Sequence, residues 1–159
     1  MTIPAGNSEG DRRPTEPRPE ALARQLLVYE AGADMRPDPL AAAGERVYLR
    51  LRARLATLLG AAGFDALWAR AIHLAQPTLR LADDTAAEEA VRAGAYGLRA
   101  ALRGQDSAGV QQALTAVFAS FISLLYTFIG EDLGARFIRQ LWPDLPPDAE
   151  ESCAEEPTP

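Results

Sequence analysis

One stretch of this chain, from Ser107 to Gly130, contains no charged residue and is followed at once by two acids, Glu131 and Asp132. Wound as a helix at about 100° per residue, its bulky side chains fall on one half and its small and hydroxyl-bearing ones on the other. Each bulky side chain gains roughly 1.5–3 kcal/mol on leaving water, so that half must be buried. The pattern predicts a central helix around which a bundle is built.

The two halves of this helix have different expected partners. The half to be buried comprises Leu114, Val117, Phe118, Phe121, Ile122, Leu124, Leu125, Phe128 and Ile129. On the other half, Ala119, Ser123 and Thr127 repeat at four-residue spacing, and such small residues let helix backbones approach closely. This face is a candidate interaction surface, covered either by a second copy or by the alanine-rich segment after Thr85. We favour the intrachain partner here and expect a weak homodimer through another apolar surface.

Gly130 marks a change of direction. If the helix ran straight on, Asp132 would lie on the apolar half and Leu133 over the small one. Glycine tolerates positive φ, so we expect Gly130 to be a structural hinge in the left-handed conformation. Glu131 and Asp132 then lie in the first turn of a last helix, where the macrodipole favours carboxylates, and that helix ends at Pro143.

The remaining periodicity predicts an all-α fold, a single bundle of about five or six helices over residues 19–143. Residues 1–18 are rich in proline and charge and are expected to be disordered. Residues 144–159 form an acidic tail of the same kind.

Within the bundle, a short helix over 20–33 and a linker over 34–39 precede the main part, 40–143. A third helix, from Phe64 to Ala75, is expected to end at Pro77. Thr85 is expected to open the fourth helix as the first residue of a capping box.

The second helix, from about Leu40 to Leu59, carries the basic residues of greatest interest; GAAG at 60–63 is expected to form the turn after it. The face to be buried is Val47, Leu51, Leu55, Leu58 and Ala62. Arg46, Arg50 and Arg54 form a stripe on the opposite side, with Arg52 near by. The stripe either contacts phosphate or is a solvated face paired with the acidic tail or a neighbouring helix. We favour the second interpretation.

Composition limits the partners. The net charge is −6 and the pI about 4.8, which argues against nucleic-acid binding because phosphate contact needs basic surface. The apolar part of the central helix is at the short limit of the roughly 17–25 residues that span a bilayer, and no basic cluster flanks it, so no membrane partner is expected. With Cys153 as the single cysteine and no apolar signal-peptide core, we expect a cytoplasmic protein.

The usual catalytic groups are scarce. His73 is the single histidine, is expected to face solvent and has no cysteine near it, so it is a poor metal ligand. There is no lysine, no Glu-x-x-His pair and no glycine-rich phosphate loop. The acid pairs precede or begin predicted helices, where capping explains them. The sequence therefore indicates no catalytic residue, metal or cofactor.

Two segments, RVYLRLRARLATLLGAAGFDALWARA and LLYTFIGEDLGARFIRQLWPD, carry a resemblance. The chain is similar to a group of small uncharacterised all-helical bacterial proteins with an arginine-rich helix, a Gly-Phe helix start and a C-terminal Phe-Ile-Gly-Glu … Trp-Pro segment. The matching residues are Arg46, Arg50, Gly63, Phe64, Phe128, Ile129, Gly130, Glu131, Leu133, Arg136, Trp142 and Pro143. The resemblance implies a fold and no activity.

These observations predict a non-enzymatic helical interaction module, an adaptor or regulator of an unknown protein partner. The alternative is a helical domain that binds a small apolar ligand in a core lined by Trp68, Phe118, Phe121 and Phe128.

Overall fold

The computed structural model describes residues 18–81 and 83–145, and every regular element in these ranges is an α-helix. The helices are α1 (Pro19–Ala31), α2 (Pro37–Leu79), α3 (Asp84–Arg92), α4 (Gly94–Ala101), α5 (Ser107–Ile129) and α6 (Glu131–Leu141). The predicted all-α bundle of about five or six helices is confirmed. Most of the two segments predicted to be disordered lies outside the described residues.

The inner edges of those two segments belong to the bundle. Arg18 is the N-cap residue of α1, and Leu145 packs against the core beyond the predicted boundary at 143. The linker is shorter than 34–39, because α1 ends at Ala31 and α2 begins at Pro37. Within it, hydrogen bonds from Arg36 to the Asp34 carboxylate lower the pKa of that group to about 2.

The central helix is α5, which packs against α1, α2 and α6. The Asp106 side chain caps its first turn by accepting a hydrogen bond of 2.8 Å from the Gly109 N–H. Phe118 and Phe121 are fully buried and meet rings of α2, at centroid distances of 6.0 Å for Trp68–Phe118 and 5.4 Å for Phe64–Phe121. The apolar half of α5 therefore forms the core as predicted, up to its last turn.

Helix α2 folds back on itself at Gly60, whose φ of 81° and ψ of 158° are not helical. The Tyr48 ring of the first half contacts Phe64 and Trp68 of the second, with centroids 5.5 and 4.7 Å apart. The predicted four-residue turn at 60–63 is thus too long, because only Gly60 leaves the helix. This conformation is essentially restricted to glycine.

Pro77 had been expected to end a helix, but α2 continues past it to Leu79. Arg80, which follows, has the left-handed conformation. Leu79 is fully buried, and its burial holds the last turn after a proline that lacks an N–H.

The alanine-rich segment forms two helices rather than one. Its N-cap is Asp83, which accepts a hydrogen bond of 3.0 Å from the Ala86 N–H, so the predicted capping box at Thr85 is wrong. The helix is interrupted at Gly94, whose φ is +64°. A Cβ at this position would collide with the Tyr48 hydroxyl. This segment had been expected to cover the small-residue face of α5. Instead, α3 and α4 pack mainly on each other and on α2.

Three residues assigned to the core, Leu58, Ala62 and Phe128, are exposed. Leu58 is 67% exposed and Phe128 is 63% exposed, although the helical wheel placed both on buried faces. Leu58 and Phe128 each lie in the last turn before a glycine at which the chain turns, Gly60 or Gly130. The predicted faces of Leu58 and Phe128 are correct one turn earlier, where Leu55 and Leu125 are buried, but burial stops before the glycines.

Candidate interaction surfaces

Two arginines of the predicted stripe bind one carboxylate on α1. Arg46 approaches Glu30 with its Nε 3.2 Å from Oε1 and donates a hydrogen bond of 2.6 Å to the Glu30 carbonyl. The Nε of Arg50 lies 3.6 Å from Oε2 of the same carboxylate. The Glu30 side chain is only 8% exposed, whereas about half of each arginine side chain is in contact with solvent. Of the predicted alternatives, the neighbouring helix is the observed partner.

The end of α6 completes this cluster. The Trp142 Nε1–H donates a hydrogen bond of 2.8 Å to Oε2 of Glu30, and Arg50 donates one of 2.9 Å to the Leu141 carbonyl. The Arg50 guanidinium carbon lies 5.4 Å from the centre of the Trp142 ring, a cation–π distance. We call Glu30, Arg46, Arg50 and Trp142 the Glu30 cluster. It joins α1, α2 and the end of α6, and it occupies donors that the phosphate interpretation needs.

The other two arginines of this helix differ from each other. Arg52 lies 2.5 Å from the Asp65 carboxylate and stacks 5.2 Å from the centre of the Phe64 ring, so it links the two halves of α2. The hydrogen bond to Asp65 raises the pKa of Arg52, and burial raises that of Tyr48 beside it. Arg54 is exposed, and its guanidinium has no partner among residues 18–81 and 83–145.

The face of small residues on α5 is partly buried and partly exposed to solvent. Ala119 is buried, whereas Ser123 and Thr127 are exposed, and the Thr127 hydroxyl donates a hydrogen bond of 3.0 Å to the Ser123 carbonyl. A groove beside the first half of this face has walls from both α1 and α5, among them Glu20, Arg24, Gln112, Thr115 and Ala116. The observed cover there is α1.

Helix α6 packs closely against α5 at Tyr126. Gly134 lies so close to Tyr126 that a Cβ on it would be 2.6 Å from the Tyr126 ring, which leaves no space for a larger residue. Ser123 and Thr127 remain exposed.

The break at Gly130 has the same backbone conformation as the one at Gly60. Its φ is 96° and its ψ is 153°, so φ is positive as expected but ψ is extended rather than left-handed helical. Glu131 and Asp132 lie in the first turn of α6. Gly130 thus turns the chain by adopting a backbone conformation that glycine tolerates, and α6 packs back against α5.

From the ring contacts between α2 and α5 we infer that both glycine breaks lie towards one end of the bundle. The second half of α2 runs antiparallel to α5, because Trp68 meets Phe118 and Phe64 meets Phe121. Continued for another turn, this register puts Gly60 beside the last turns of α5, shortly before Gly130.

The side chains around these breaks are unusually apolar and exposed. Leu133 is 55% exposed, close to the values for Leu58 and Phe128. We call these three side chains, with the exposed charges of Arg54, Glu131 and Asp132, the bundle end. The sequence contained a signal for it, since Leu58 and Phe128 immediately precede the glycines, but the wheel assigned both to the core.

Other concave regions have mixed polar and apolar walls. The groove walled by α1 and α5 has a volume of about 490 Å³. Another, of about 430 Å³, places His73 of α2 opposite Asp84 and Glu88 of α3. His73 is exposed, as predicted, and no group of three metal-ligating side chains occurs within the described ranges.

Two helices, α2 and α5, are long and apolar enough to cross a membrane by length and composition alone. In α5, half of the most apolar window is buried inside the bundle, as in the core helix of a soluble protein, and α2 is interrupted at Gly60. These features leave the absence of a membrane partner a prediction.

No protein-family model, curated protein or solved structure matches this chain, so its resemblance to small helical bacterial proteins stays a prediction.

Proposed function

We propose that this chain is a non-enzymatic helical interaction module, an adaptor or regulator that binds a protein through the bundle end. The observation that carries the proposal is the exposure of Leu58, Phe128 and Leu133 beside the two glycine breaks. An exposed phenylalanine and two exposed leucines in one region are costly in water, and such patches mark protein-binding surfaces. Rings are also among the side chains enriched in interface cores.

The remaining chemistry is consistent with binding rather than catalysis. The Arg46 and Arg50 side chains, which were candidates for contact with a partner, serve the Glu30 cluster instead. Of the original stripe, Arg54 keeps a free guanidinium among the described residues, and it belongs to the bundle end.

The small-ligand alternative has less support. Of the aromatic residues that would line a ligand cavity, Trp68 contacts Tyr48 and Phe118, while Phe121 contacts Phe64. These rings fill the space between α2 and α5, and Phe128 lies outside it, 63% exposed. A ligand in this core would have to displace close-packed side chains.

Site-specific photocrosslinking tests the proposal. A benzophenone amino acid replaces Phe128 in the full chain, which is expressed in its native cells and irradiated. We expect a discrete protein adduct, because this position lies in the proposed contact. The matched control carries the same group at Leu74, an exposed leucine two turns beyond Trp68 and far from Gly60. Equal labelling at positions 128 and 74, or none at either, would contradict the proposal.

A further inference from the structure

We propose that the occupant of the bundle end is a second copy of this chain, related by a two-fold axis. In this dimer, Arg54 of each copy faces Glu131 and Asp132 of the other, and the apolar side chains meet at the centre. The inference rests on the proposed function, because it assigns a partner to the same surface.

The charges of the bundle end have both signs, and all of them are free within the described residues. Arg54 lies one turn before Leu58 on α2, and it forms no ion pair there. Glu131 and Asp132 precede Leu133 on α6, and no arginine of the described ranges lies within ion-pair distance of either. By contrast, Arg46, Arg50, Arg52 and Arg99 all bind carboxylates of the same chain.

A surface that carries an unpaired cation and unpaired anions beside apolar side chains is complementary to itself. Under two-fold symmetry a contact of residue i with residue j is repeated as j with i, so one Arg54–Asp132 contact generates a second. A partner of different sequence would need its own matching pattern of one acidic and one basic site. Self-association meets this requirement with the residues already present.

The size of the surface sets the strength of the dimer. A stable interface buries about 800 Å² on each partner, and three large side chains supply only part of that area. The association is therefore weak, and the chain exchanges between monomer and dimer. The ion pairs lie at the rim of the contact, where charge determines specificity and orientation more than affinity.

Charge reversal with sedimentation equilibrium tests the dimer. Wild type is expected to show a reversible monomer–dimer equilibrium. Arg54→Glu and Asp132→Arg each place two like-charge contacts in a homodimer, so each weakens association by about tenfold or more. An equimolar mixture of the two variants regains wild-type association. In the mixed dimer, the reversed position 54 of one variant faces the reversed position 132 of the other, and the unchanged Arg54 faces the unchanged Asp132.

The controls separate the contact from general effects of charge and folding. Arg70→Glu reverses an exposed arginine of α2 on the far side of Gly60 and leaves the equilibrium unchanged. Leu133→Asp abolishes association, whereas Leu74→Asp does not. Circular dichroism establishes that each variant is folded. Wild type that stays monomeric, reversals without effect, or a mixture that does not recover would each overturn the proposal.

The photocrosslinking result distinguishes this failure from failure of the proposed function. An adduct of twice the chain mass from position 128 supports the dimer. An adduct with a different protein overturns the dimer and leaves the interaction module intact. No specific adduct overturns both.

Discussion

The Thr115 hydroxyl is the single buried side-chain polar atom without a hydrogen-bond partner in residues 18–81 and 83–145. Thr115 is 8% exposed and lies in α5, where it forms part of the wall of the groove between α1 and α5. A buried polar group that loses its water without gaining a partner destabilises the folded state. This residue therefore opposes the packing that the rest of α5 favours.

Thr115→Val replaces the hydroxyl with a methyl group of the same shape. We expect the free energy of unfolding to rise by about 1 kcal/mol, because the desolvation cost disappears and apolar surface is added. Urea denaturation measures the change. Thr127→Val is the control, since that hydroxyl is exposed and donates to the Ser123 carbonyl, and it should not stabilise the protein. A destabilised Thr115→Val variant would show that the hydroxyl has a partner in solution.

Among the helices, the feature that organises the bundle is the repeated use of one glycine conformation. Gly60 and Gly130 both combine positive φ with extended ψ, and a Cβ on either would meet no atom within 4 Å. The need for glycine at these positions is therefore a property of the backbone and not of space. Each break folds the chain back within a single residue, which produces the hairpin of α2 and the packing of α6 on α5.

Gly60→Ala and Gly130→Ala should each lower the free energy of unfolding by about 1–3 kcal/mol, the cost of holding a Cβ-bearing residue in that backbone state. Thermal and chemical denaturation with circular dichroism measure both the stability and the helix content. Ala61→Gly, one residue past the first break, should cost only about 0.5–1 kcal/mol and serves as the control. A variant that gained stability and helix content would indicate a continuous helix through the break.

The sequence predicted the central helix and its turn at Gly130, because these depend on local periodicity. It misplaced Leu58 and Phe128, because a helical wheel gives the direction of a side chain and says nothing about the length of its neighbours. The break at Gly94 was missed, and the Tyr48 hydroxyl that leaves no room for a Cβ there is distant in sequence. Pro77 was misjudged because the burial of Leu79 outweighed a local rule.

The candidate site was predictable to a similar degree. The spacing of Arg46 and Arg50 identified a stripe, but its partner Glu30 lies on another helix, and no local pattern identifies it. Leu133 was recognised as a residue of the last helix, whereas its exposure depends on how α6 packs on α5.

For the molecule as a whole, the Glu30 cluster links the first helix to the second and to the end of the last. The carboxylate receives two arginines of α2 and the indole of Trp142, so it connects the first, second and last described helices. Hydrogen bonds to a charged group contribute more than neutral ones. Half of each arginine is exposed, which reduces the stabilisation below that of a fully buried pair.

Glu30→Gln should lower the free energy of unfolding by about 1–3 kcal/mol, because the charge-assisted hydrogen bonds lose their acceptor charge. Hydrogen exchange should accelerate in α1 and near Trp142 and stay unchanged in α3 and α4. Arg54→Gln, which removes a charge without an intramolecular partner, should change stability by less than about 0.5 kcal/mol. Equal acceleration throughout the bundle would show that the cluster has no local role.

The contact between Trp142 and Glu30 also has a consequence for synthesis, because it joins residues 112 positions apart. On the ribosome, Glu30 meets Arg46 and Arg50 soon after it emerges. The indole follows on the order of ten seconds later, at typical elongation rates. Until then the nascent chain holds its first helix by an incomplete set of hydrogen bonds. Closing this long loop must wait for the last helix, so we expect the Glu30 cluster to be complete only after Trp142 has left the ribosome.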